Sequence, residues 1–281
     1  MSLRRSGPAR RTFPAAAGIL ITLLSTLAAP GAAGANATDV RGPDHPEKDW
    51  MGSTIRAHEG GDRADAPAPR AAGSSVEGVD VSSHNGRVKW STLRRSGVRF
   101  AYVKATEGTS YTNPSFTRQY NGSYKTGMVR GAYHFALPNN SSGAAQAKYF
   151  VKHGGDWSGD GKTLPGALDM EYNPYGATCY GKSPSAMVSW IGDFFKTYRA
   201  HTGRHAVIYT SANWWKQCTR DSGRFDDTNP LWVPRYGPSV GQLPAKWDFH
   251  TIWQYRSNGS AVGDRNQFNG TYSRLRALAR G

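Results

Sequence analysis

Two carboxylates separated by one residue, Asp169 and Glu171, have the type and spacing for acid–base chemistry. They end the apolar run 164–168, which predicts a buried β-strand. Residues i and i+2 of a strand point to the same side, about 7 Å apart, so we expect both carboxylates to face one space. Their mutual repulsion and poor solvation would separate their pKa values, as a general acid and an anionic partner require. A Ca²⁺ ligand pair and a solvated strand end are the alternative interpretations.

Short apolar runs alternate with helical stretches over the rest of the chain, which is typical of a βα architecture. The clearest helix begins after the N-cap Ser183 with Pro184 and ends at Gly203, and a second is predicted around 144–152. We therefore predict an α/β fold, a modified TIM-like barrel of about eight strands with fewer helices than strands, irregular in its second half. The predicted strands are 78–82, 100–105, 129–135, 166–172, 206–210, 231–236, 251–255 and a short segment near Asp264.

The working residues of such a barrel lie at the carboxyl ends of its strands. Acidic and aromatic residues follow nearly every predicted strand, which favours a cleft for a saccharide, because sugar rings stack on aromatic side chains and carboxylates cleave glycosidic bonds. The residues at these ends are Asp80, Glu107, His134, Asp169, Glu171, Tyr209, Tyr236, Gln254 and Asp264.

Composition divides the chain into three parts. Residues 1–37 combine arginines, an apolar stretch too short to span a bilayer comfortably and a small-residue cleavage pattern, which predicts a secretory signal peptide. Residues 38–76 are rich in Pro, Ala, Gly and charge, and we predict a disordered pro-segment or linker that is dispensable for folding and catalysis. Either it keeps the basic domain quiet or it is only a spacer. Residues 77–281 are the predicted barrel.

The barrel region is strongly basic. Residues 38–75 hold five basic and seven acidic residues and the leader holds four arginines, so about +13 of the formal net charge of +15 falls on the remainder. Such an excess predicts an anionic partner. No recognisable nucleic-acid motif and no further membrane-length apolar stretch is present, so we expect a released, monomeric protein that binds the anionic bacterial cell wall, and neither nucleic acid nor membrane.

The chain has two cysteines, Cys179 and Cys218. An even pair in an exported protein favours a disulfide over a metal site or a nucleophile. We predict that they join two loops.

Several motifs together resemble the glycoside hydrolase family 25 lysozymes, the Chalaropsis-type muramidases. The resemblance rests on Asp80-Val81, on Asn85-Gly86, on the stretch YVKATEG at 102–108, on GAYHF at 131–135 and on LDME at 168–171. It continues through WQY at 253–255 and GDRNQF at 263–268 and covers nearly all of 77–281. It implies hydrolysis of the β-1,4 bond between N-acetylmuramic acid and N-acetylglucosamine in peptidoglycan.

The resemblance also implies roles for individual residues. The proton donor of the family corresponds to Glu171 and its second carboxylate to Asp169, which would act as nucleophile or orient the substrate's acetamido oxygen. Asp80 and Asp264 correspond to further catalytic acids, and neither a metal nor a cofactor is expected. The predicted substrate-binding residues are Glu107, Tyr133, Phe135, Tyr172, Tyr209, Tyr236, Asp248 and Gln254.

Three alternatives compete with this interpretation. A chitinase-like hydrolase would carry further aspartates upstream, where Pro165 and Ala167 stand. A metal-dependent deacetylase is suggested by the spacing of His201 and His205, but Gly203 interrupts the helix that would align them. A non-catalytic cell-wall-binding barrel would not need its acids.

Overall fold

A computed structural model of the protein describes residues 42–60, 74–244, 246–257 and 262–281. The predicted signal peptide lies outside these residues. The chain from Val40 to Gly281 forms one compact unit. None of the described helices is both long and apolar enough to cross a membrane.

Eight strands close into a barrel, because the first strand pairs in parallel with the second and antiparallel with the last. The last strand is antiparallel to both of its neighbours, whereas the other barrel pairings are parallel. A two-residue strand, β3, forms a hairpin with β2 outside the closed ring. The strands are β1 (Ser75–Val81), β2 (Phe100–Glu107), β3 (Tyr111–Thr112), β4 (Val129–Phe135), β5 (Ala167–Asp169), β6 (Val207–Tyr209), β7 (Leu231–Pro234), β8 (Ile252–Arg256) and β9 (Asp264–Asn269).

Helices lie mainly between the parallel strands, and the described parts of the β7–β8 and β8–β9 connections contain none. The predicted barrel with fewer helices than strands is confirmed. The helices are α1 (Ile55–Glu59), α2 (Trp90–Arg95), α3 (Phe116–Lys125), α4 (Gly143–Phe150), α5 (Pro184–Thr202), α6 (Ala212–Thr219) and α7 (Tyr272–Arg280), with a 3₁₀ turn at Ser83–Asn85 and a π turn at Val151–Gly155.

The local sequence of helix α5 determines where the helix begins and ends. The Ser183 side chain accepts a hydrogen bond from the Ala186 N–H, Pro184 fills the first turn, and Gly203 ends the helix in a left-handed conformation. Its buried face belongs to the core cluster between the helices and the outward faces of the strands, and the helix contacts α4 and α6.

Alternating side chains build two core layers around each strand. In β5, Ala167 belongs to the cluster inside the barrel and Leu168 to the cluster under the helices. In β8, Ile252 lies inside and Trp253 outside. The next inward position nearer the carboxyl end is polar in both strands, Asp169 in β5 and Gln254 in β8, and these side chains begin the cleft.

The disulfide between Cys179 and Cys218 is confirmed. Cys179 lies in the loop after β5, as predicted, but Cys218 lies in helix α6 rather than in a loop. The bond therefore ties the β5 loop to the helix that follows β6.

The prediction of disorder is wrong for residues 42–60. Met51 is fully buried, Asp49 and Ile55 are each 2% exposed, and α1 forms within the segment. A segment this short has no core of its own, but its few apolar residues find partners in the barrel mouth. The proposed division into a segment and a barrel remains a prediction.

Candidate active site

Asp169 and Glu171 both lie at the carboxyl end of the barrel and both are fully buried. Strand β5 ends at Asp169, so Glu171 belongs to the segment after the strand. The Met170 N–H still donates to the Tyr209 carbonyl, which holds this segment against β6. The side chain of Glu171 therefore does not owe its position to regular strand geometry, as the sequence had suggested. The two carboxylates are nevertheless near enough for the charge of Glu171 to act on Asp169.

Neither carboxylate oxygen of Asp169 has a hydrogen-bond donor among the described residues. Burial raises the pKa of Asp169 well above its usual range, and the neighbouring charge of Glu171 raises it further. The positive charge of Lys104 acts in the opposite direction. A buried carboxyl without donors favours its neutral form, because the charged form loses its hydration without compensation.

The carboxylate of Glu171 accepts three hydrogen bonds from the segment 42–60. The Gly52 N–H donates to Oε1 at 2.7 Å, the Thr54 N–H donates to Oε2 at 2.9 Å, and the Thr54 hydroxyl also donates to Oε2. Burial raises the pKa of Glu171 to about 7, and these hydrogen bonds limit the rise. Glu171 and Asp169 thus differ in hydrogen bonding although both are buried.

Asp80 is the next-to-last residue of β1, and two side-chain amides donate hydrogen bonds to its carboxylate. Asn266 Nδ2 donates to its Oδ2 at 2.7 Å and Gln254 Nε2 donates at 3.0 Å. Burial raises the pKa of Asp80 to about 6 against these two hydrogen bonds. The hydroxyls of Tyr209 and Tyr236 donate to Gln254 Oε1 at 2.7 and 2.8 Å, so the amide of Gln254 is fixed in one orientation.

Glu107 ends β2 and forms a buried ion pair with Lys104, Nζ to Oε2 at 2.5 Å. The Tyr175 hydroxyl donates to its Oε1 at 2.9 Å. Burial raises the pKa of Glu107 to about 7, the charge of Lys104 lowers it and the charge of Asp49 raises it. Lys104 also lies over the ring of Phe135, with Nζ 5.0 Å from its centroid.

Asp264, Tyr133 and Tyr172 also reach this end of the barrel. Asp264 pairs with Asp80 across β1 and β9 and accepts a hydrogen bond from Ser257 Oγ at 2.7 Å. The hydroxyl oxygen of Tyr133 accepts from the Met51 N–H at 3.2 Å. Tyr172 donates to Glu59 Oε1 at 2.8 Å.

Asp248, which was predicted to bind substrate, lies outside the cleft. It is exposed and lines a cavity with Leu231, the first residue of β7, and Thr251, which precedes β8. These residues mark the amino ends of the strands, opposite the cleft. The loop that carries Asp248 leads into β8 instead of out of it, which explains the error. His134 also lies away from the cleft, between Thr106 and Gln146 under the helices.

Sequence reasoning did not assign roles to Lys104, Tyr175 and Asn266. Lys104 has a local signal, since a lysine three residues before a glutamate in an otherwise buried strand needs an anionic partner. Tyr175 and Asn266 have no such signal, because their partners are distant in sequence. In the described ranges, no three His, Cys, Asp or Glu side chains are arranged to hold a metal ion.

Comparison with known proteins places this geometry in a family. The family Glycosyl hydrolases family 25 matches residues 79–264. Lysozyme M1 of Streptomyces globisporus is 44% identical over 273 residues, covering 93% of this chain and 92% of that protein. The N,O-diacetylmuramidase of Chalaropsis sp is 48% identical over 212 residues, covering 74% of this chain and all of that protein.

A solved structure supports the same assignment. The muramidase from Acremonium alcalophilum superposes with a TM-score of 0.72 at 55% identity, covering 73% of this chain and 99% of that one. The chain belongs to glycosyl hydrolases family 25 and is a glycoside hydrolase.

Proposed function

We propose that this enzyme is a lysozyme, a 1,4-β-N-acetylmuramidase that hydrolyses the bond between N-acetylmuramic acid and N-acetylglucosamine in bacterial peptidoglycan. The observation that carries the proposal is the buried pair Asp169 and Glu171 at the barrel mouth of a family 25 chain. The printed names of its relatives, lysozyme and muramidase, support the substrate class.

Glu171 is the general acid of this proposal. It gives its proton to the glycosidic oxygen as the bond to the sugar carbon breaks, and a pKa raised to about 7 keeps part of this group protonated at neutral pH. Asp169, once ionised, stabilises the oxocarbenium-like transition state, either as nucleophile or by orienting the 2-acetamido oxygen. Water then completes the hydrolysis and restores the proton to Glu171.

The neighbouring polar residues position the substrate. Asp80 is itself fixed by Gln254 and Asn266, so its carboxylate has a defined direction. Tyr209 and Tyr236 fix Gln254 in turn. Such a supported arrangement lowers the cost of ordering the site when substrate binds.

Secretion and wall binding belong to the same proposal. A lysozyme reaches peptidoglycan only outside the cytoplasm, which agrees with the predicted signal peptide and with the disulfide. The basic barrel region would bind the anionic wall as a monomer, while the buried carboxylates perform the chemistry.

Mass spectrometry of peptidoglycan fragments tests the proposal. Purified peptidoglycan is digested to completion and reduced, so that even a slow enzyme gives a result. We expect fragments with reduced muramic acid ends. Reduced glucosamine ends, or released peptides without glycan cleavage, would reject muramidase activity.

A further inference from the structure

The segment 42–60 fills the cleft of the described structure. Its central residues, Met51 and Gly52, lie over the inward-facing polar layer. The Met51 carbonyl accepts a hydrogen bond from Gln254 Nε2 at 3.1 Å, and the Tyr236 hydroxyl oxygen lies 3.4 Å from the Gly52 carbonyl. The segment therefore contacts the side chains that we expect to hold substrate.

The segment also binds the carboxyl group of Glu171, the proposed general acid. Both oxygens of Glu171 accept hydrogen bonds from Gly52 and Thr54, so a glycosidic oxygen has no access to this carboxyl. Burial keeps the pKa of Glu171 raised to about 7 in this arrangement, and the hydrogen bonds from Gly52 and Thr54 only limit the rise. The segment therefore blocks the acid by occupying its two oxygens.

Two further anchors hold the segment on either side of Glu171. On one side, Lys104 Nζ donates to the carbonyls of Pro46 and Asp49 at 3.0 and 2.5 Å, and the Tyr175 hydroxyl donates to the Asp49 carboxylate. On the other side, the Glu59 carboxylate accepts hydrogen bonds from the residues Tyr172, Ser211 and Asn213. The segment thus extends across the cleft from β2 to α6.

The fit at the centre requires glycine. Gly52 has a φ of +89°, and a Cβ there would lie 2.4 Å from the Tyr236 hydroxyl, 2.6 Å from Gln254 Oε1 and 2.9 Å from the Tyr209 hydroxyl. The two hydroxyls already donate hydrogen bonds to Gln254 Oε1 in the buried cleft. They cannot move apart without loss of that network, so any side chain at Gly52 would push the segment out.

We propose that residues 42–60 are an intramolecular inhibitor that keeps the full chain latent by occupying the glycan-binding cleft. The inference rests on the proposed muramidase function. Release of the segment, with no change in the barrel, would switch the enzyme on. The family match over residues 79–264, which begins after the segment, agrees with a barrel that needs no such segment.

Two matched substitutions in the full chain test this. Gly52→Leu places a side chain in the cleft, whereas Gly60→Leu places one at a position with a similar φ, +69°, and no heavy atom within 4 Å of its Cβ. Both lose the conformational freedom of glycine, but only the first disturbs the docked segment. Initial rates on peptidoglycan and calorimetric binding of a soluble muramic acid–glucosamine oligosaccharide with a non-hydrolysable thioglycosidic bond are measured for each.

We expect Gly52→Leu to raise the initial rate and the oligosaccharide affinity roughly tenfold or more, because a shift toward the open state increases both in proportion. Gly60→Leu should match the wild-type chain. Equal rates and affinities for the wild-type chain and Gly52→Leu would overturn the inference. Tighter binding by Gly52→Leu without any hydrolysis would support occlusion and reject the muramidase function instead.

Discussion

The two ends of the barrel differ in how far their ionisable residues are buried. At the carboxyl end, Asp80, Glu107, Asp169 and Glu171 are at most 2% exposed, and burial raises the pKa of each. At the amino end, the charged residues Asp248, Arg274, Arg276 and Arg280 are exposed to solvent. Buried carboxylates can hold a proton at neutral pH, whereas exposed charges are screened and suit attraction to a polymer. In the proposed function, the buried end performs catalysis and the exposed charges of the other end contribute to wall binding.

The largest expected difference between the ends is in catalysis. Glu171→Gln keeps the shape of the side chain but cannot donate a proton, so we expect the rate on peptidoglycan to fall by roughly 10²- to 10⁴-fold. Asp248→Asn makes the same chemical change at the other end and should leave the rate unchanged. The rate of fragment release measures both. A Glu171→Gln variant that keeps more than about a hundredth of the wild-type rate would refute the assignment of the acid.

The second difference is in folding stability. Lys104→Met removes the partner of the buried Glu107, and we expect the free energy of unfolding to fall by about 3 to 5 kcal/mol, because a buried charge remains unpaired. Urea denaturation measures the change. The exposed Lys125→Met is the matched control and should change stability by less than about 0.5 kcal/mol.

A double variant separates the ion pair from packing. Lys104→Met combined with Glu107→Gln leaves no unpaired charge, so we expect it to recover much of the lost stability. A double variant as unstable as Lys104→Met alone would show that the lysine acts through its contacts with Phe135 and the segment 42–60.

The third difference is in the response to pH. Asp80, Glu107 and Glu171 have pKa values in the folded protein of about 6, 7 and 7, each above its usual value. The folded protein therefore binds more protons than the unfolded chain between about pH 4.5 and 7, and these groups make the free energy of unfolding fall as pH rises through this window.

Glu171→Gln removes one of these titrations. We expect the decline to become shallower by up to about 1.4 kcal/mol per pH unit. Urea denaturation at several pH values gives the slopes. Identical slopes for the wild-type chain and Glu171→Gln would contradict a raised pKa at Glu171.

The smallest expected effect is at the amino end. Replacing Arg274, Arg276 and Arg280 by Gln should weaken sedimentation with insoluble cell walls a few-fold at about 0.05 M salt, because exposed charges act over a Debye length of roughly 10 Å at 0.1 M. The difference should vanish near 0.5 M salt. Binding that does not depend on salt would transfer the attachment role to the cleft.

Asp169 and Glu171 show both what the sequence can predict and where it fails. The apolar run before Asp169 and the acid two residues later, together with the motifs of the rest of the chain, predicted that both carboxyls lie at the carboxyl end of the barrel. The strand ends at Asp169, however, and the conformation that follows depends on the hydrogen bond from Met170 to β6. We assigned Asp248 to the wrong end of the barrel. Without a helix between β7 and β8, the sequence does not show at which end of the barrel a residue of their connection lies.

The sequence by itself determined what depends on neighbouring residues. The alternation of strands and helices, the bounds of α5 and the identity of the acids follow from periodicity, capping and residue type. The disulfide followed from the presence of only two cysteines in a chain that is predicted to be exported.

Only the tertiary structure decided the partners of residues far apart in the chain. Thr54 meets Glu171 across 117 residues, and Gln254 meets Met51 across 203. Composition predicted disorder for this segment because it has too few apolar residues for a core of its own. It is ordered instead by a cleft that exists only once the barrel has closed, and no local pattern in the sequence records that contact.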